Sequence, residues 1–277
     1  MTDPIVRAAR VAWRGDACAD GLRSVPRETP VALTYNRSTH AVMLATPADL
    51  EDFAIGFSRS EGVIETASDI LALDIVEVAD GIECRMDLAP DRLAVLTRRQ
   101  RRLAGPSGCG LCGLDSLAAA IRPAPAVPEG RAFSAAMIQD AMRAMPEAQV
   151  LNAATHAVHA AAFWTPEHGL VALREDVGRH NALDKLAGAL ARGGGVEGGV
   201  PAADGLVLLS SRVSVEMVQK AATLGAAVIV AVSAPTSLAI EVANQAGLTL
   251  VGVARDDGFE VFTHLNRITA RTTRHVA

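Results

Sequence analysis

The second half of the chain alternates between short, continuous apolar runs and segments in which apolar residues recur every three or four positions. Buried strands are predicted at residues 206–209, 227–232 and 248–253. Helices are predicted at residues 177–191, 213–224 and 237–246. A helix capped by Ser134 is predicted at residues 134–145, and further strands at 157–164 and 170–173. This alternation predicts a mostly parallel sheet that helices cover on both faces.

The first half follows a different pattern, in which strands come in pairs. Strands are predicted at residues 31–35, 41–45, 73–78 and 82–88. Thr46, followed by proline and acidic residues, predicts the start of a helix that runs to about Ser60. The proline-rich stretch at residues 122–130 predicts a stiff linker. We therefore expect an irregular segment at residues 1–24, an α+β lobe at 25–130 and an α/β lobe at 131–277.

Composition and charge limit the possible classes of protein. The chain has 277 residues, of which 50% are hydrophobic but only 3% aromatic, so Ala, Val and Leu must fill the core. Its formal net charge of -5 argues against a protein that coats nucleic acid, and any anion site must be local. No basic start followed by an apolar run precedes the first strands, and no run reaches the length of about 20 residues that a membrane helix needs. The sequence predicts a cytoplasmic protein.

The sequence most suggestive of chemistry is a glycine-rich loop that carries Cys109 and Cys112. A predicted helix at residues 114–121 follows the loop. Four arginines precede it, namely Arg98, Arg99, Arg101 and Arg102. A thiol beside arginines and a helix N-terminus is biased toward thiolate, the form that attacks sulfur or binds metal. We therefore interpret residues 103–116 as a reactive-cysteine loop.

Several chemistries use such a pair of cysteines. A structural zinc site needs four ligands, and the chain has only 4 cysteines with no second closely spaced pair. A zinc deaminase needs a His-x-Glu sequence, which does not occur in the chain. A dithiol oxidoreductase and a sulfur relay through a persulfide both remain open.

Polar residues also gather at three predicted strand-to-helix junctions in the second half. The first contains Arg179 and His180, with Asp176 as a candidate cap, the second Ser211 and Arg212, and the third Ser233. Ligands of open α/β sheets collect where strands end, and helix N-termini attract phosphates. The junctions predict a floor for a phosphate-bearing ligand, although the same residues would also suit ordinary helix caps. Glu216 and Lys220, four residues apart, are predicted to form a structural ion pair.

With these residues in hand, the chain resembles the FdhD family of sulfur carriers. The resemblance extends from about residue 25 to the end and rests on several stretches together. These are Gly108-Cys-Gly-Leu-Cys-Gly, Glu175-Asp-Val-Gly-Arg-His-Asn-Ala-Leu-Asp-Lys, Ser210-Ser-Arg-Val-Ser-Val-Glu-Met-Val-Gln-Lys, Val232-Ser-Ala-Pro-Thr-Ser-Leu-Ala, Val31-Ala-Leu-Thr-Tyr-Asn and Gly56-Phe-Ser-Arg-Ser-Glu-Gly. One departure is Thr155-His156-Ala157, where relatives commonly have a glycine turn.

The resemblance implies a sulfurtransferase that activates formate dehydrogenase. A cysteine desulfurase would pass sulfur to Cys109, with Cys112 as partner or relay, and the sulfur would go on to the Mo-bis(molybdopterin guanine dinucleotide) cofactor. This cofactor is a substrate, and no tightly bound metal is implied. The family is homodimeric, and its second lobe is similar to the three-layer cytidine deaminase fold. The family's cofactor-binding segment falls on Val253, Ala254, Arg255, Asp256, Asp257 and Gly258. The alternative is a chaperone that only binds the cofactor.

Overall fold

The computed structural model describes residues 2–100, 123–193 and 199–269, with side chains only to residue 96 in the first range. The chain begins with two antiparallel strands, β1 (Ile5–Arg14) and β2 (Ala17–Pro26). The prediction of an irregular segment over residues 1–24 was therefore wrong. Most of these side chains are exposed, so the stretch lacks the alternation of apolar and polar residues by which a half-buried strand is recognised.

A four-stranded sheet forms the N-terminal lobe. Its strands are β3 (Thr29–Tyr35), β4 (Ser38–Ala45), β5 (Ile70–Val78) and β6 (Gly81–Leu88), in the order β4-β3-β6-β5. Helix α1 (Leu50–Ser60) covers one face, where Phe53 and Phe57 join the buried core, and α2 (Pro90–Gln100) follows β6. The predicted α+β lobe is confirmed, but α1 begins four residues after Thr46, because the backbone of Thr46 bonds to the other lobe.

A six-stranded sheet forms the C-terminal lobe, in the order β13-β12-β11-β10-β8-β9. The strands are β8 (His159–Thr165), β9 (Gly169–Asp176), β10 (Leu206–Leu209), β11 (Val228–Ala231), β12 (Thr249–Arg255) and β13 (Gly258–Val261). Only the β10–β11 and β11–β12 pairings are parallel, whereas the other three are antiparallel. The prediction of a mostly parallel sheet was therefore wrong, since continuous apolar runs indicate burial on both faces and not strand direction.

Helices cover both faces of this sheet, as predicted. One face packs on α5 (Arg179–Ala191), α6 (Val215–Leu224) and α7 (Ser237–Ala246). The other packs on α3 (Ala135–Ala148), which Ser134 caps through the Met137 N–H, and the short α4 (Val150–Thr155) precedes β8. Strands β7 (Phe133–Ser134) and β14 (Ile268–Thr269) pair beside it. None of the helices in the described ranges combines the length and apolar character of a membrane span.

The two lobes meet through α1 and α5, which cross with almost no space between their backbones. A Cβ atom at Gly56 would lie 1.7 Å from the carbonyl oxygen of Asp184, and one at Gly188 would lie 1.9 Å from that of Asp52. Glycine is the residue that permits such an approach. The crossing fixes the start of α5 relative to the end of β4.

The proline-rich segment before α3 is attached to the C-terminal lobe. Val127 donates its N–H to the carbonyl of Ala246, and the Arg267 guanidinium donates to the carbonyls of Pro128 and Glu129. The side chain of Val127 also packs on the core beneath α7. The described part of this segment, residues 123–130, is therefore a fixed strap and not a free spacer.

Candidate functional site at the strand ends

Four strands of the large sheet end along one edge, which we call the strand-end edge. Strands β9, β10, β11 and β12 run in the same direction, so the C-terminal ends of all four lie there. Helices α5, α6 and α7 begin directly after three of these strands, and they direct their N-terminal, partially positive ends to the same edge. The three predicted junctions are thus brought together.

Much of the first junction holds the two lobes together. The ammonium of Lys185 and the carboxylate of Asp176 form a fully buried ion pair of 2.7 Å. Asp176 also accepts hydrogen bonds from the Thr46 and Gly178 N–H groups, and Lys185 donates to the Thr46 carbonyl. Asn181 bridges Asp176 and the Leu44 carbonyl. We call Thr46, Asp176, Asn181 and Lys185 the interlobe network. Asp176 therefore belongs to this network, and Gly178 occupies the N-cap position of α5.

Two further carboxylates of the first junction also have structural partners. Glu175 accepts hydrogen bonds from the Leu151 and Asn152 N–H groups at the start of α4. Asp184 is buried and binds the Lys220 ammonium at 2.8 Å and 2.9 Å. The predicted ion pair between Glu216 and Lys220 was therefore wrong, because a carboxylate from a neighbouring helix holds the lysine.

What remains is a set of buried polar atoms that lack hydrogen-bond partners. Among the described residues, these atoms are Arg179 Nε, His180 Nε2, Ser214 Oγ and Glu216 Oε2. Arg179 and His180 lie in the first turn of α5, while Ser214 is the N-cap of α6 and Glu216 is in its first turn. Because buried polar atoms are almost always paired, this set is typical of a ligand site. We call these four residues the unpaired cluster.

The ionisable groups of the unpaired cluster influence one another. Burial and the nearby Arg179 charge lower the pKa of His180, which favours the neutral imidazole. Burial opposes ionisation of Glu216, but the Ser214 hydroxyl and the charges of His180 and Arg179 outweigh it and lower the pKa of that carboxyl. The Ser214 hydroxyl lies beside this carboxylate, yet neither Ser214 Oγ nor Glu216 Oε2 has a partner in hydrogen-bond geometry. The cluster therefore combines one cationic donor, Arg179, with a neutral imidazole and one ionised acceptor.

The other predicted ligand residues differ in solvent exposure and in hydrogen bonding. Arg212 is exposed at the edge, and Ser233 is partly buried and accepts the Val253 N–H through its carbonyl. Ser211 is 5% exposed, and its hydroxyl donates to the Arg212 carbonyl. The proposed capping role of Ser211 was wrong, because Ser214 occupies the N-cap position of α6.

The comparisons with known proteins agree on one family. The chain matches the model of the FdhD/NarQ family over residues 26–269. It is 50% identical over 263 residues to the sulfur carrier protein FdhD of Agrobacterium fabrum, with 95% of each chain covered. It is 50% identical over 259 residues to the protein of the same name from Brucella abortus, with 93% of this chain and 94% of the relative covered.

The chain belongs to the FdhD/NarQ family. Its fold agrees with the crystal structure of a protein from Desulfotalea psychrophila described as a formate dehydrogenase accessory protein. The TM-score is 0.73 at 25% identity, with 96% of this chain and 100% of that chain covered. The resemblance to the FdhD family is confirmed, and so is the prediction of a mixed α/β fold.

The segment that the FdhD resemblance assigns to cofactor binding also reaches the strand-end edge. A bulge interrupts the β12–β13 pairing between Gly252 and Arg255, and Val253 adopts a left-handed φ of 51° there. Ala254 is buried, whereas Arg255, Asp256 and Asp257 are exposed in the turn before Gly258. Left-handed backbone at a residue with a branched side chain is unusual and is associated with functional sites.

The glycine turn that is missing from the family pattern has a clear place in the fold. His156 ends α4 with a left-handed φ of 54°, a conformation that glycine adopts most easily. The backbone of the turn is thus kept, although a histidine occupies it.

Cys109 and Cys112 lie outside the described residues, so their predicted role stays a prediction. The two other cysteines differ in solvent exposure, since Cys18 is exposed on β2 and Cys84 is buried in β6. No group of three or more His, Cys, Asp or Glu side chains within the described ranges has an arrangement that could hold a metal ion.

Cys84 is expected to resist thiol reagents in the folded protein, because burial raises the pKa of its thiol to about 12. Treatment with iodoacetamide at pH ~8, followed by peptide mass spectrometry, should label Cys18 and leave Cys84 unmodified. Unfolding in urea should make the two equally reactive. Labelling of Cys84 at the rate of Cys18 without denaturant would contradict the buried environment.

Proposed function

We propose that the chain is a sulfur carrier that serves formate dehydrogenase. The observation that carries the proposal is its 50% identity, over 95% of both chains, to a protein named sulfur carrier protein FdhD. A structural neighbour described as a formate dehydrogenase accessory protein supports the same role. The two cysteines of the glycine-rich loop supply the thiols that such a role requires.

The sulfur is loaded by persulfide exchange with a cysteine desulfurase. The Cys109 thiolate attacks the outer sulfur of the desulfurase persulfide, a new S–S bond forms, and the desulfurase cysteine leaves as a thiolate. The exchange needs no external oxidant, because the sulfane sulfur carries its oxidation state with it. Cys112 serves as the relay or resolving thiol. In this sense the protein is a sulfurtransferase.

The acceptor is the Mo-bis(molybdopterin guanine dinucleotide) cofactor, bound as a substrate along the strand-end edge. Helix N-termini, Arg179 and Arg212 suit its phosphates, while His180, Ser233 and residues 253–258 complete the contact surface. The unpaired cluster supports this placement, since its donors have no partner within the described protein. We further propose that the protein acts in the cytoplasm as a homodimer.

The experiment that tests sulfur loading is intact-protein mass spectrometry after incubation with a cysteine desulfurase and cysteine. The wild type is expected to gain one sulfur, which a reductant removes, and Cys109→Ala is expected to gain none. Cys84→Ala is the matched control, because its thiol is buried and should make no contribution. Unchanged loading of Cys109→Ala would overturn the assignment of the acceptor thiol.

A cofactor chaperone without sulfur chemistry is the alternative function, and the unpaired cluster favours it as much as it favours a carrier. The two differ in cells that depend on this protein for formate dehydrogenase. A carrier requires that Cys109→Ala abolish formate dehydrogenase activity while the variant still binds nucleotide. Normal activity with Cys109→Ala would establish the chaperone.

A further inference from the structure

The hairpin formed by β1 and β2 exposes an apolar face to solvent. Directly opposite residues of an antiparallel pair share a face, and so do alternate residues of one strand. Val11 and Trp13 of β1 therefore lie on the same face as Ala9 and its partner on β2, Leu22. Val11, Trp13 and Leu22 are 55%, 68% and 61% exposed. We call these four residues the hairpin face. Large apolar side chains grouped in this way are typical of an interaction surface, whereas single exposed ones are ordinary.

A hairpin of this length requires cover to be stable. Its strands have 10 residues each, and an isolated two-stranded hairpin is marginally stable at best in water. The opposite face is partly buried at Ala8 and Ala12, and β2 packs on α4, where Arg23 donates to the Thr155 carbonyl at 3.1 Å. The hairpin face stays exposed beside this attachment. The match to the family model begins at residue 26, so the hairpin lies outside the part of the chain that the model describes.

The attachment places the hairpin beside the strand-end edge. Glu175, near the end of β9, accepts hydrogen bonds from the first N–H groups of α4. Thr155, to which Arg23 is bonded, ends this short helix four residues before His159. His159 begins β8 and is paired with Asp176, the last residue of β9. A partner that binds the hairpin is therefore brought close to this edge.

The hairpin also differs in charge from the rest of the chain. Residues 5–26 contain four arginines and two aspartates, which gives a net charge of +2, whereas the whole chain carries -5. A local basic surface attracts an acidic one and accelerates association. The chemistry of the hairpin thus suits a protein that presents an apolar patch bordered by acidic side chains. The arginines are Arg7, Arg10, Arg14 and Arg23.

We propose that the hairpin face is the surface on which formate dehydrogenase docks, through such an apolar patch with an acidic border. The inference rests on the proposed function, because a protein that prepares the cofactor for formate dehydrogenase has to deliver it from the strand-end edge. The desulfurase, the other partner, exchanges sulfur with Cys109 and not with the cofactor. Trp13 is the central anchor, since tryptophan is enriched among the residues that contribute most to binding. Docking there raises the concentration of the receiving enzyme at the edge.

The test measures binding of the full-length protein to formate dehydrogenase isolated without its cofactor, by surface plasmon resonance. Trp13→Thr removes the aromatic side chain but keeps a residue that suits a strand. Loss of such an anchor should weaken binding by about 30-fold or more, and Leu22→Thr, on the other strand of the same face, should weaken it as well. Association of the wild type should slow as salt is added, because salt screens the arginines.

Leu71→Thr is the matched control, because Leu71 is 67% exposed on β5 of the other sheet and should leave the affinity unchanged. Cys109→Ala should dock like the wild type, and Trp13→Thr should still be loaded with sulfur, so docking and sulfur loading are tested separately. Equal binding by the wild type and Trp13→Thr would overturn the inference, as would the absence of binding by the wild type. A halved mass of Trp13→Thr in light scattering would assign the hairpin face to a second copy and overturn it too.

Discussion

Lys185→Met is expected to destabilise the protein by about 3–5 kcal/mol, because it leaves the buried Asp176 carboxylate without its counter-ion. The pair lies at 2.7 Å with both side chains fully inaccessible to solvent. Methionine fills a similar volume, so lost charge and not lost packing dominates the change. The carbonyls of Thr46 and Glu175 also lose their ammonium donor. Urea unfolding followed by circular dichroism measures the free energy of unfolding.

A matched control for Lys185→Met is Arg192→Met. Arg192 is 45% exposed and pairs with Glu51 and Asp52, and Arg174 still binds Asp52 when Arg192 is lost. An exposed ion pair contributes only about 0–1 kcal/mol, so this variant should unfold close to the wild type. Adding Asp176→Asn to Lys185→Met should recover part of the lost stability, because the uncompensated charge is removed. Equal stability of Lys185→Met and Arg192→Met would contradict a buried ion pair.

The interlobe network also determines where the unpaired cluster lies. Asp176 and Lys185 tie the end of β9 and the second turn of α5 to Thr46 of the N-terminal lobe. Arg179 and His180 lie between these two anchored points, at the start of α5. The polar residues at the junction between β9 and α5 therefore have two different functions. Asp176, Asn181 and Lys185 hold the scaffold, and Arg179 and His180 are left free for a ligand.

Local pattern was sufficient for a fully buried strand and for a capped helix with one buried face. The bounds of β10 and α7 match the prediction residue for residue, because continuous burial and a clear cap leave little ambiguity. The β1–β2 pair was missed because its exposed side chains carry no burial signal. Strand direction in the large sheet was also missed, because it depends on connections and not on hydropathy.

The candidate site could be predicted only in part for a related reason. Arg179 and His180 were found from the density of polar residues, and their unpaired atoms support a role in binding. Glu216 was assigned to Lys220 because they are four residues apart, which is the strongest local clue. Asp184, 36 residues from Lys220 in sequence, takes that lysine in the folded protein. The pairing of Lys220 with Asp184 is thus a consequence of tertiary structure that no local spacing reveals.

Gly188→Ala is expected to destabilise the protein by about 3 kcal/mol or more, although alanine has a higher helix propensity than glycine. Alanine exceeds glycine in helix propensity by about 1 kcal/mol, so α5 alone would gain from the change. The added Cβ would lie 1.9 Å from the Asp52 carbonyl oxygen and 2.6 Å from its carbonyl carbon. Backbone atoms of α1 cannot rotate away as a side chain can. The two helices must separate, and such overpacking typically costs about 1–3 kcal/mol even where side chains can adjust.

Gly21→Ala is the matched control for Gly188→Ala, because a Cβ at Gly21 would meet no atom within 4 Å. Its free energy of unfolding should lie within about 0.5 kcal/mol of the wild type. Separation of α1 from α5 should also displace Arg179 and His180, so Gly188→Ala should bind nucleotide more weakly than Gly21→Ala does. If Gly188→Ala were as stable as Gly21→Ala, the lobes could not meet at backbone contact, and α5 would owe its position to the interlobe network alone.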